Sequence, residues 1–363
     1  MKVFVRFVLL AGIVYGAFLL APHAAHRGVQ GARVLAQRGV SLAGAEFGVH
    51  VLGFGGFTPG TYGVDYTYCS PQTMRYFAER GLIRFRLPVR WERLQNVPGG
   101  DLNGAELGRL LETLDAAGRM GCRVVLDLHN YGRYSRGESR FPDGRVVGAP
   151  AADGLGITKE HLADLWCKLS VRLRDHRALE AFAIMNEPHD MGRADWHKIS
   201  QHVVDALRFH GDRTTLWISG DGWSTAYDWR RNNGAQAWII DPLDRVIYEA
   251  HCYFDADFSG TYKLTFAEEQ ARDSGVGYRG STRVAPFLDW CQRNGVRGVI
   301  GECGVPRDEP RWLPLMANLL REAESRQTSV YYWAAGEWWK NDRLSIQPTE
   351  GRDAPQLRVL LKP

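Results

Sequence analysis

The chain has 363 residues, 45% of them hydrophobic and 24% charged, which is the composition of a globular protein with a real core. Its net charge of +4 and pI of about 8.7 are mild, and no Lys/Arg run interleaved with aromatics stands out, so nucleic-acid binding is not expected. Twelve tryptophans are the unusual count; such rings either fill a core or stack on sugar rings in a cleft.

At the start of the chain, Lys2 and Arg6 lead into an uncharged apolar run from Phe7 to Ala21, the form of an export signal. Residues 1–22 read as a signal peptide or, because no clean small-x-small site precedes a cut, as an uncleaved signal anchor. The body is then expected outside the cytoplasm, secreted or periplasmic, with a membrane tether if the signal stays. Residues 23–43 are rich in Ala, Gly and Arg without a period and read as a tether, leaving 44–363 as the folded domain. The six cysteines have no CxxC or other metal-ligand spacing. Export permits disulfides, and Cys252 and Cys303 are the first pair to consider.

Short β-rich apolar runs follow at 47–53, 82–89, 122–130, 180–187, 214–221, 245–253, 297–303 and 329–336. Helical stretches lie between most of them. The clearest is 103–121, where Leu107, Leu110, Leu111 and Leu114 share one face; 159–176 and 196–211 repeat the pattern. Eight strands alternating with helices predict an α/β fold, a (β/α)8 TIM barrel. An open doubly wound sheet fits the alternation too, but "GFGGF" at 53–57 does not make the GxGxxG phosphate loop. A monomer is expected.

In such a barrel the chemistry sits at the C-terminal strand ends. The second predicted strand carries Arg86 and the third ends on His129-Asn130. The fourth ends on Asn186-Glu187, and the fifth leads to Asp221 and Trp223. The sixth ends on His251 and Tyr253, the seventh on Glu302, and the eighth carries Trp333. A strand that only had to pack would not finish "AFAIMNEP". Glu187 and Glu302 come from opposite sides of the barrel, and two carboxylates facing across a cleft suit glycoside hydrolysis. No His/Asp/Glu cluster has metal-ligand spacing, so neither a metal nor a cofactor is expected.

Taken together, "MNEPHD", "FRLPVRW", "LDLHNY", "AHCYFDADFSGT" and "IGECG" resemble glycoside hydrolase family 5, and most closely its endo-β-1,4-glucanases, or cellulases. The resemblance runs from about residue 46 to 340. It implies that Glu187 is the acid/base, Glu302 the nucleophile, and Asn186 the partner of the sugar 2-hydroxyl. Arg86 and Tyr253 would hydrogen-bond the nucleophile, His129 would contact the sugar, and His251 would lie near the acid/base. Trp333 would form a stacking floor, with Asn130 and Trp223 also on the substrate side. The chemistry needs Glu302 ionised and Glu187 protonated, and Arg86, which cannot lose its proton, is expected to hold Glu302 below the usual carboxylate range.

The expected activity is retaining hydrolysis of internal β-1,4 bonds of a glucan. Mannan, β-1,3-glucan or a bacterial exopolysaccharide are alternative substrates. A non-hydrolytic carbohydrate-binding or export accessory protein is the rival from another class. The loop at 132–154, with Arg133, Arg136 and Arg140, reads as solvated or as facing an acidic polysaccharide.

Overall fold

The computed structural model describes residues 36–137, 144–339 and 342–362. The export signal, the first part of the expected tether and Arg140 therefore lie outside the described residues. Eight parallel strands close into a barrel: β1 (Arg38–Leu42), β2 (Arg84–Val89), β3 (Arg123–Leu128), β4 (Leu179–Ala183), β5 (Thr215–Ser219), β6 (Val246–His251), β7 (Gly298–Cys303) and β8 (Ser329–Ala335). Each pairs with its neighbours in sequence, and β1 closes the ring against β8.

The helices form where the sequence signals them. The helix Gly104–Arg119 starts on Asn103, whose side chain accepts from the Glu106 amide, and buries Leu107, Leu110 and Leu114. Lys159–Leu173 opens with a capping box between Thr158 and His161, and Trp196–Phe209 is capped by Asp195. Seven of the twelve tryptophans (91, 166, 196, 217, 229, 290 and 312) are buried, so most of the tryptophan excess is core. No described helix is long and apolar enough to cross a membrane.

Two expectations at the start of the domain are corrected. The first strand is Arg38–Leu42, inside the stretch read as tether, and 47–53 is a succession of turns with Gly48 and Gly53 at positive φ. "RGVSL" is a poor strand by propensity because its inward positions must be small. A Cβ on Gly39 would lie 2.4 Å from the Tyr331 ring, and Ser41 pairs in register with Arg86. The cysteine expectation is corrected too: all six are free thiols, Cys252 and Cys303 included.

Inside the barrel the side chains form two layers. The lower layer is apolar: Val125, Ala181, Ala183, Trp217, Val299 and Tyr331. Two residues further along the same strands, on the same inward face, the lining turns polar: Asp127 follows Val125, Ser219 follows Trp217, and Glu249 follows Ile247. On β7 the alternation is interrupted. Ala250 of β6 pairs with Ile300 but His251 pairs with Glu302, so β7 carries an extra residue, Gly301, at that point. The bulge turns Glu302 inward, where strict alternation would send it to the helix side. Gly301 has to lack a side chain, because a Cβ there would sit 1.9 Å from Oε1 of Glu249.

Candidate active site

Arg86, fully buried on β2, is the hub of the upper layer. Its Nε donates to Glu249 Oε1 at 3.0 Å, Nη1 to Glu302 Oε1 at 2.9 Å and Nη2 to Asn186 Oδ1 at 2.6 Å; Asp127 Oδ2 lies 3.2 Å from Nη2. Burial pulls the guanidinium down, but Asp127, Glu249 and Glu302 more than offset that and hold it above its ordinary value. Glu302 receives a second donor, the Tyr253 hydroxyl, at 2.8 Å.

Each of the two histidines has its protons fixed by what its nitrogens face. His129 Nδ1 lies 2.8 Å from Asp127 Oδ2, while Nε2 faces the Tyr131 hydroxyl at 3.1 Å and Asn186 Nδ2 at 3.5 Å. Nε2 therefore accepts and Nδ1 carries the proton. Burial holds His129 down to about 3, so the ring is neutral. His251 is the opposite case. Its Nδ1 faces Glu187 Oε1 at 2.6 Å and Glu302 Oε2 at 3.6 Å, and its Nε2 faces Glu249 Oε1 at 3.4 Å. Both nitrogens meet carboxylates. Burial opposes the imidazolium, but Glu302, Glu187 and Glu249 hold it up to about 10, so His251 is charged.

An oxygen of Glu187, a ring nitrogen of His251 and an oxygen of Glu302 all lie within 4.8 Å of one another. Three such groups have the spacing to share a cation. His251 Nδ1 is already a donor to Glu187, however, and Arg86 and the imidazolium supply the positive charge there. The expected depression of Glu302 is corrected: burial raises it, against the pull of His251 and Arg86. Burial raises Asp127 as well, to about 7, whereas Arg86 and His251 overcome the burial of Glu249 and bring it to about 2.

Two cavities flank this pair. One, of about 600 Å³, is lined by Glu187, Tyr131, Trp223, His251, Tyr253 and Phe258 among others. The other, of about 510 Å³, is lined by His129, Tyr131, Trp333, Trp338, Phe47 and Glu46 among others. Tyr131 belongs to both and marks the junction. Tyr131, Glu187 and Trp223 have φ of 56°, 41° and 61°, left-handed values that side-chain-bearing residues rarely adopt. Such strain costs on the order of 1–3 kcal/mol each and clusters where a side chain must be aimed. At Glu187 it turns the carboxylate out of the strand direction into the cleft.

The remaining expected residues divide. Trp333 is half-buried, stacks on His129 at 5.0 Å between centroids and lines the second cavity. Trp223 is 46% exposed, stacks on His189 at 3.4 Å and lines the first. Asn130 does not join them. It is buried, its Oδ1 accepts from the Trp91 amide and its Nδ2 donates to Glu92, so it ties two loops together. Arg133 donates to the main-chain carbonyls of Tyr131 and His189, which commits it to loop scaffolding. Asp127, Glu249 and Tyr131 were missed as site residues. For Asp127 and Glu249 the signal was present, a carboxylate two positions before each strand-end histidine in "LDLH" and "YEAH".

A family model described as cellulase (glycosyl hydrolase family 5) matches residues 40–339. Endo-beta-1,4-glucanase B of Emericella nidulans is 27% identical over 316 residues, covering 86% of each chain. The structure of Pseudomonas stutzeri endoglucanase Cel5A in complex with cellobiose is 37% identical with a TM-score of 0.79, over 90% of this chain and 91% of that one. An endo-beta-1,4-glucanase structure from Xanthomonas axonopodis pv. citri is 29% identical with a TM-score of 0.77, over 90% of this chain and 98% of that one.

Proposed function

This chain belongs to the cellulase family, glycosyl hydrolase family 5, and from that premise we propose that it cleaves internal β-1,4 bonds of a glucan with retention of anomeric configuration. Glu302 attacks the anomeric carbon while Glu187 protonates the leaving oxygen. Glu187 then takes a proton from the water that releases the glycosyl-enzyme. The observation that carries this reading is the approach of Glu187 and Glu302 oxygens to within 4.8 Å. A retaining pair stands about 5–5.5 Å apart, and an inverting pair about 6.5–9.5 Å, to admit a water.

Arg86 and Tyr253 each donate to a different oxygen of Glu302, which fixes the attacking carboxylate in one plane. The acid lines the cavity that holds Trp223, so the leaving sugar belongs there; the cavity under Trp333 takes the other side of the bond. Room on both sides of the acids supports cleavage within a chain. The β-1,4-glucan assignment is supported by the glucanase relatives. The test is a product profile on carboxymethylcellulose, mannan, xylan and laminarin. Rapid loss of carboxymethylcellulose viscosity with oligosaccharide release is expected, and faster turnover of mannan, xylan or laminarin would move the substrate class.

We also propose that the enzyme acts outside the cytoplasm, on the strength of Lys2, Arg6 and the apolar run after them, and that it does so as a monomer. Fractionation of the producing cells tests the location, and light scattering on the purified protein tests the monomer.

A further inference from the structure

Glu249 lines neither of the two cavities, yet it is a fully buried carboxylate with three partners: Arg86 Nε at 3.0 Å, the Ser219 hydroxyl at 3.0 Å and His251 Nε2 at 3.4 Å. A buried charge needs such compensation, and the barrel spends a glycine, Gly301, to make room for it. What the compensation achieves is visible at the far side of the His251 ring. A neutral imidazole has one N–H. With Nε2 facing an apolar wall, His251 would have a single proton to divide between its nitrogens. With Glu249 behind it, the ring keeps N–H groups on both sides, and Nδ1–H points at Glu187 Oε1, 2.6 Å away.

We propose that Glu249 is a positioning residue for the reaction, which holds His251 as an imidazolium so that Nδ1–H stabilises Glu187 as it gives up its proton. This rests on the assignment of Glu187 as the acid/base. In the first step the bond from the anomeric carbon to the leaving oxygen breaks and a bond from Glu302 to that carbon forms. The electron pair goes to the leaving oxygen, which takes the proton from Glu187. Glu187 is left as a carboxylate beside a hydrogen-bond donor that is already charged. A charge-assisted bond of this kind is roughly twice as strong as a neutral one. Without Glu249 the ring would face Glu187 and Glu302 with less reason to stay charged. The other charged or titratable groups around it are Arg86 from β2, Asp127 from β3 and Tyr253 beyond β6.

The test compares wild type with Glu249→Gln, which keeps the shape and removes the charge. The first readout is ¹⁵N NMR of histidine-labelled free enzyme, with His251 assigned from a His251→Gln sample. It uses no substrate, so it stands or falls apart from the glucanase assignment. Wild-type His251 is expected to stay protonated beyond pH 8 and to titrate at lower pH in the variant. The second readout is kcat/KM on aryl β-cellobiosides, which reports the first displacement alone. General acid catalysis contributes about 10²- to 10⁴-fold, so Glu249→Gln should lose about tenfold or more on a phenol leaving group. It should lose little on 2,4-dinitrophenol, which departs without protonation. Equal losses on both leaving groups would mean a merely structural role and overturn the proposal. So would a wild-type His251 that titrates at or below pH 7, a result that stands even if the variant fails to fold.

Discussion

The two layers inside the barrel are built from the same strands and face the same way, but they answer to different constraints. Val125, Trp217, Val299 and Tyr331 fill volume in the lower layer, and Trp217 packs edge-to-face on Tyr331 at 5.0 Å. One pleat higher stand Arg86, Asp127, Glu249, Asn186 and Glu302, where every group is held by charge and hydrogen bonds. Four ionisable groups with no exposed surface to speak of would be prohibitive singly, and they persist because each is another's partner. The contrast teaches that strand geometry chooses which residues meet in the barrel, while their height along the strand decides whether they serve stability or reaction.

That division is breakable by experiment. The largest effect is expected from Glu302→Gln: a fall in kcat of about a thousandfold or more on an activated aryl cellobioside, with melting temperature nearly unchanged. Retention of more than about a tenth of the activity would remove Glu302 from its role. In the lower layer, Trp217→Ala should cost about 3–5 kcal/mol of unfolding free energy in denaturant titration and leave kcat per folded molecule within about twofold. A kcat loss like that of Glu302→Gln would dissolve the distinction between the layers. Trp333→Ala, at the cleft surface, should raise KM by about tenfold through lost stacking, with little change in stability. A large fall in melting temperature with unchanged KM would return Trp333 to the core.

The smallest effect is a pH dependence confined to the upper layer. His251 is raised from its ordinary 6.5 to about 10, so its charged contacts add stability that is fully present below pH 6.5 and lost as pH rises through about 10. Asp127, which burial raises from 3.8 to about 7, also loses stability as pH rises, but over that lower window, so the useful quantity is wild type minus His251→Gln. That difference in unfolding free energy should shrink between pH 7 and 10; a difference that stays constant would deny the charge on His251.

Much of this architecture is legible in the sequence because parallel strands and amphipathic helices leave clear periods. The strand ends at His129, Glu187, His251 and Glu302 read directly as chemistry. Four things did not. The first strand was hidden because Gly39 and Ser41 are small to admit Tyr331 and Arg86 from elsewhere in the chain, and no local pattern records that demand. Asp127 and Glu249 sit in the middle of apolar runs, where period two would have put them on the inward face with the histidines. Asn130 looked functional through its neighbour His129, but the chain turns there and spends it on Glu92 and the Trp91 amide. The protonation pattern was least legible of all. Arg86 suggested a depressed Glu302, and the depth of burial, visible only in the fold, outweighs it.

The central claim is a double displacement in which Glu302 and Glu187, with oxygens within 4.8 Å of each other, stand at the separation of a retaining pair. Proton NMR of the first products from a β-1,4-linked oligosaccharide tests it directly. The anomeric signal of the newly formed reducing end should appear first as the β-anomer, with α growing in only by mutarotation. An α-anomer at the earliest time points would contradict the mechanism and the role given to Glu302.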